Sequence, residues 1–141
     1  MLKFYQIFKI LPKIILAVLA LFPVTAWGAF NLDCTTTDYS QSGYSESWGK
    51  TWVPTHNSFV IDGDEIYHQD FDIVGEVTTE DSQRLNFKID FDPADFEQDQ
   101  GAWLKGTYFK TTKKFVIFVN FWGNYKSSGG IWGICHEQPI M

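Results

Sequence analysis

The sequence has only two cysteines and three histidines, and it has no Cys-x-x-Cys pair. A thiolate metal cage or a thioredoxin-type redox centre therefore lacks the spacing it needs. No G-x-S-x-G, no Gly-rich phosphate loop and no serine in a strand-to-helix elbow is present, and Gly129-Gly130 reads as a turn. Nucleophilic hydrolase chemistry and phosphate cradling thus have no motif to stand on. Paired carboxylates for glycoside hydrolysis need a distance that a sequence does not supply. There is also no Asn-x-Ser/Thr glycosylation acceptor. The main uncharged apolar run, Ile14 to Val24, is about half of the roughly twenty residues that a membrane-spanning helix requires.

That short run has a purpose of its own. Lys3, Lys9 and Lys13 precede it without a single acid, and small residues follow it in Val24-Thr25-Ala26 and Ala26-Trp27-Gly28. A basic n-region, an apolar h-region and small residues before a cleavage point describe a signal peptide over residues 1–28, cut after Ala26 or Gly28. An uncleaved N-terminal anchor is the lesser alternative. A lipoprotein anchor is disfavoured because Asp33 stands directly before Cys34. The remaining 29–141 is expected to be one domain in a periplasmic or secreted bacterial protein, with no stable membrane span in the mature form.

Positive charge is scarce: eleven Lys and Arg face seventeen Asp and Glu. Three of those cations leave with the signal, so the mature chain carries eight against seventeen, a net charge of −9. Nucleic acid is an unsuitable partner for so acidic a domain. The charge is also segregated. Asp62 to Asp99 holds thirteen acids against Arg84 and Lys88, whereas Gly101 to Met141 holds five lysines against Glu137 alone. Two such faces lying side by side and partly neutralising each other is one expectation, and a basic patch is the other.

In an oxidising compartment Cys34 and Cys135 are expected to pair, tying the first strand to the last. Between them the chain reads as strands. Leu85, Phe87, Ile89 and Phe91 alternate with Arg84, Asn86, Lys88 and Asp90, giving one buried and one wet face. Ser58 to Asp62 and Glu65 to His68 flank Gly63-Asp64 as a hairpin, and Phe71 to Thr79 follows with Gly75 as a bulge candidate. Ala102 to Thr111 and Lys113 to Trp122 form a second hairpin, with Phe30 to Thr37 opening and Gly130 to Glu137 closing the domain. The Ser/Gly/Tyr-rich tract Asp38 to Lys50 reads as an irregular loop, and Asp92 to Gly101 as a loop with a helical turn near Ala94 to Phe96. The expected fold is all-β: a single antiparallel meander of seven or eight strands, closed as a small barrel or stacked as a sandwich.

One strand is apolar on both sides. Phe115, Ile117, Val119 and Phe121 share one face, while Val116, Phe118 and Trp122 take most of the other. Such a strand is buried twice, lines a cavity or meets a partner. Trp103, Tyr108, Phe118, Trp122 and Trp132 are therefore the candidate contacts for an apolar small molecule or a protein. The metal candidates are weaker. His68, Asp70 and Asp72 recur at period two, which on a regular strand aims all three the same way, yet exposed polar faces share that pattern. Asp92, Asp95, Glu97 and Asp99 lack the spacing of a calcium loop. No cofactor and no catalytic residue is expected.

The opening Phe30-Asn31-Leu32-Asp33-Cys34-Thr35 and the closing Gly133-Ile134-Cys135 resemble the termini of small exported proteobacterial proteins of unknown function, which begin F-x-L-x-C-T and end G-x-C. That resemblance implies export and a β domain, and brings no activity. In size and plan the chain is also similar to periplasmic lysozyme inhibitors and some bacterial protease inhibitors, small exported β-barrels with a terminal disulfide. The lysozyme inhibitors' Ser-Gly-x-x-Tyr loop is absent, because Ser128-Gly129-Gly130 has no tyrosine after it. The leading expectation is an exported, non-catalytic binding protein with an aromatic surface or cavity. The alternatives are an inhibitor of a secreted lysozyme or protease, acting through a protruding loop, and a small metal protein or enzyme.

Overall fold

The computed structural model describes residues 29–91, 101–122 and 126–140. The expected signal peptide, the acid-rich loop and its helical turn near Ala94 to Phe96 lie outside the described residues.

Alternating sequence becomes strand wherever it occurs. The chain runs β1 (Phe30–Asp38), α1 (Glu46–Trp52), β2 (His56–Asp62), β3 (Glu65–His68), β4 (Ile73–Glu80), β5 (Arg84–Phe91), β6 (Ala102–Phe109), β7 (Lys114–Phe121) and β8 (Ile131–Pro139). Each strand pairs antiparallel with its sequence neighbour, and β1 pairs with β8, so the meander closes into an eight-stranded barrel. Closure decides between barrel and sandwich. A chain of eight short strands leaves two unpaired edges unless the first meets the last, and hydrogen bonding β1 to β8 removes both.

The disulfide lies across that closing seam. Cys34 stands opposite Cys135 in the β1–β8 register, both side chains are buried, and the bond joins residues 101 apart in sequence. The barrel is filled rather than hollow where its wall is described. Phe59, Phe87, Phe91, Phe115 and Tyr108 point inward with branched aliphatics between them. Gly106 makes room for one of these rings. A Cβ there would lie 2.2 Å from Phe87 Cζ, so the Phe87 ring covers bare backbone of β6.

Turn chemistry sets the registers. The β2–β3 hairpin turns on Gly63 and Asp64, and Gly63 has the positive φ, 64°, that a two-residue hairpin loop needs at its first central position. Gly75 is not the bulge. It pairs regularly with Ile66, and a Cβ there would sit 2.3 Å from Lys88 O, so its small size serves the close approach of β5. The register shift falls between Val77 and Thr79.

α1 begins inside the Asp38 to Lys50 tract expected to be an irregular loop and runs past it to Trp52. Ser45 caps it by accepting a hydrogen bond from Trp48 N at 3.1 Å, and Lys50 pairs with Glu46 at 2.8 Å one turn away. A helix of seven residues has little intrinsic stability, and tertiary contacts hold this one. Trp52 packs against Phe91 and Phe121 with ring centroids 5.9 and 5.6 Å apart, and Tyr39 donates to Val53 O at 2.6 Å. Alternation and composition do not report such docking, so the helix is invisible to a strand-by-strand reading. Strand ends also differ from expectation by one or two residues. For example, β2 begins at His56, β6 ends at Phe109 and β8 reaches Pro139.

Candidate functional site

A filled barrel leaves its outer wall as the place for recognition. In β6 and β7 the inward positions are Ala102, Leu104, Gly106 and Tyr108 on one strand and Phe115, Ile117, Val119 and Phe121 on the next. Period two therefore turns Trp103, Lys105, Thr107 and Phe109 outward beside Lys114, Val116, Phe118 and Asn120. The register sets Lys105 opposite Phe118, Trp103 opposite Asn120, and Val116 opposite Trp132 of β8.

Four of the five residues singled out in the sequence lie on this wall. Trp122 is 47 % exposed and Phe118 is 38 % exposed, while Trp103 and Trp132 are half-buried. The Trp103 and Trp122 rings touch, with centroids 4.9 Å apart, and Trp132 lies parallel to Phe109 at 6.3 Å. Val116 is nearly covered although it faces outward, and Trp132, Phe118 and Gly130 converge on it. The apolar second face of β7 is thus a surface cluster on the outside of the barrel.

Tyr108 is the exception. Its ring is fully buried in the barrel and its hydroxyl donates to Glu137 Oε2 at 2.6 Å. Lys113 Nζ reaches the same oxygen at 3.1 Å. Burial pushes the Glu137 carboxyl upward, but the hydrogen bonds from Tyr108 and Lys113 outweigh it and hold the group below its usual range. Burial, then the bond to Glu137, raises the Tyr108 hydroxyl. Tyr108 therefore lies inside the barrel, apart from the four rings of the outer wall. Its place in the alternation was already visible: it shares the inward parity of Leu104 and Gly106.

The wall is cationic. No Asp or Glu occurs between Gly101 and His136. Lys88 lies over the Trp103 ring at 5.5 Å and pairs with Asp90 at 3.6 Å, and Arg84 lies over Phe109 at 5.5 Å. Lys105 and Lys114 are exposed and make no ion pair among the described residues. On the far side, Asp62, Asp64, Glu65 and Glu76 are exposed on β2 to β4 and the turn between β2 and β3. Some neutralisation occurs between the two halves, as in the 2.6 Å Lys110–Glu80 pair, yet the outward lysines of β6 and β7 remain a basic patch.

Beyond Trp132 the wall leads into a groove of about 380 Å³ lined by Thr37, Asp38, Gln41, Lys114, Trp132 and Ile134. One carboxylate oxygen of Asp38 is held by Ser40 N and Oγ at 2.8 and 2.6 Å, and these bonds lower its pKa. Tyr44, stacked on Trp48 at 3.8 Å, bonds Lys126 O and ties the Asp38–Tyr44 segment to the chain before β8.

His68, Asp70 and Asp72 do not form the common face that period two suggests. β3 ends at His68 and the chain turns, with Asp72 at φ 57°. His68 is fully buried, with Nε2 3.1 Å from Asn57 Oδ1. Asp70 accepts from Ser58 N at 2.8 Å, and Asp72 accepts from the Tyr67 hydroxyl at 2.6 Å. No group of three or more acidic, His or Cys side chains gathers as a metal site among the described residues. His56 and His136 are exposed on separate strands. In the Asp38 to Lys50 tract, Tyr39, Ser42 and Gly49 are buried, while Ser40, Gln41, Gly43 and Ser45 to Ser47 are exposed.

No protein-family model, no curated protein and no solved structure matches this chain. No helix among the described residues is long and apolar enough to cross a membrane.

Proposed function

We propose that the chain is an exported, non-catalytic binding protein, periplasmic or secreted, that engages its partner through the outer wall of β6, β7 and β8. The observation that carries this reading is the outward placement of Trp103, Phe118, Trp122 and Trp132 on one wall, with Lys105 and Lys114, which make no ion pair among the described residues, between and beside them. Exposed rings of this size contribute nothing to the core, and their clustering concentrates the free energy available to a partner. The charged, disulfide-closed barrel behind them is a rigid support.

The test is binding by the mature, oxidised protein to a panel of polysaccharides, lipid vesicles, lysozyme and proteases, in wild type and in the double variant Phe118→Ala/Trp122→Ala. Both side chains are more than a third exposed, so the variant is expected to keep its fold and lose its binding. A ligand held equally by both proteins would refute the wall as the site.

A further inference from the structure

Resting on that reading, we infer that the β6–β8 wall and the groove beside Trp132 bind an acidic polysaccharide chain. Three features of the wall select this ligand class. The first is sign: the wall presents Lys105 and Lys114, which make no ion pair among the described residues, and its sequence has no acid from β6 through His136, whereas Asp62, Asp64, Glu65 and Glu76 are exposed on β2 to β4. A partner carrying regularly spaced anions matches that side and is repelled by the rest, which fixes its orientation.

The second is the mixing of lysine with rings. Lys105 is the direct cross-strand neighbour of Phe118, and Lys88 lies over Trp103. Protein interfaces deplete lysine from their centres, because a strongly hydrated ammonium resists burial. A hydrated sugar chain leaves those ammonium groups partly in water. At the same time its apolar C–H faces lie on Trp122, Phe118 and Trp132, whose rings are presented on a convex wall.

The third is the groove. Thr37, Asp38, Gln41 and Lys114 gather hydroxyl, carboxylate, amide and ammonium beside the Trp132 ring. That set donates to and accepts from sugar hydroxyls, Lys114 answers a ring carboxylate, and the second oxygen of Asp38 is left to accept. An acyl chain would find no use for these groups, which sets a lipid surface aside.

The probes are polygalacturonate and a sulfated glycan, with neutral dextran and vesicles of mixed zwitterionic and anionic lipid as comparisons, followed by tryptophan fluorescence and calorimetry at low ionic strength. Binding to an acidic glycan, absent for dextran and weakened by salt, is expected. The double reversal Lys105→Glu/Lys114→Glu should weaken it on the order of tenfold, since each change replaces an attraction by a repulsion. Trp122→Ala should reduce the fluorescence response, with Trp103 and Trp132 left to report the remainder. Vesicle binding lost in Phe118→Ala/Trp122→Ala, with no glycan binding, would overturn the ligand class and leave the wall intact as the site. Glycan binding unaffected by all these variants would overturn the wall itself. No binding to either acidic glycan would overturn the inference.

Discussion

Acidification below neutrality should destabilise this protein through His68, well before most carboxylates titrate. The imidazole lies between Phe59 and Phe71, with ring centroids 4.8 and 4.7 Å away. Phe71 N donates to Nδ1 at 3.4 Å, so Nδ1 is an acceptor and Nε2 carries the proton toward Asn57 Oδ1. Asn57 is itself held by Pro54 O at 2.7 Å and Thr36 Oγ1 at 3.3 Å, which fixes the direction of the whole chain of bonds. Burial lowers the His68 pKa from 6.5 to about 4, and the half-exposed Asp70 carboxylate 3.7 Å from Nδ1 opposes that shift without reversing it. Between those two values the unfolded chain binds a proton that the folded chain refuses. Stability is therefore complete above the unfolded value and declines as pH falls toward the folded one. For that pair of pKa values the loss between pH 7.5 and pH 4.5 is on the order of 2 to 3 kcal/mol. Urea unfolding of wild type and His68→Gln across this range isolates the contribution, because the variant lacks the titration and keeps the carboxylates. Nitrogen-detected NMR of His68 reads the tautomer and pKa directly. A His68 that titrates near 6.5, or equal pH slopes in the two proteins, would refute the reasoning.

Other perturbations report on the seam, the barrel end and the interior. Tyr108→Phe should cost about 1 to 2 kcal/mol by removing the hydroxyl that bonds Glu137. It should also flatten the acid limb of the stability curve, since a carboxyl held below its usual range stabilises above its unfolded pKa and ceases to do so as pH falls; urea titrations at neutral and acid pH measure both effects. Gly106→Ala should destabilise by about 1 to 3 kcal/mol, because the new methyl meets the Phe87 ring, and Phe87→Leu in the same background should recover part of the loss in thermal melts. Replacing Cys34 and Cys135 by alanine should lower stability by about 4 kcal/mol through the freed 101-residue span, with far-UV circular dichroism unchanged at zero denaturant because β1 and β8 remain hydrogen-bonded.

The strands were legible because burial on one face imposes period two. Arg84 to Phe91 shows it without exception, and the structure makes that segment β5 with Leu85, Phe87, Ile89 and Phe91 buried. The outward rings were legible for the same reason once β7 proved apolar on both faces. Tyr108 shows the limit of choosing residues by type: its parity with Leu104 assigns it to the core, but aromatic character alone does not separate an inward ring from an outward one.

Most of what the sequence determined by itself was local: the alternating segments, their order, the Gly63-Asp64 turn and the separation of lysines from acids, with the cysteine pair following from there being only two cysteines. Barrel closure, the docking of α1 through Trp48 and Trp52, the burial of His68 and the meeting of Trp132 with Asp38 and Gln41 were decided only in three dimensions. Periodicity records which face of a segment is buried. It carries no record of which other segment covers that face: closure, the docking of α1 and the groove at Trp132 join segments far apart in the chain, while His68 is covered by the nearby Asn57, Phe59 and Phe71.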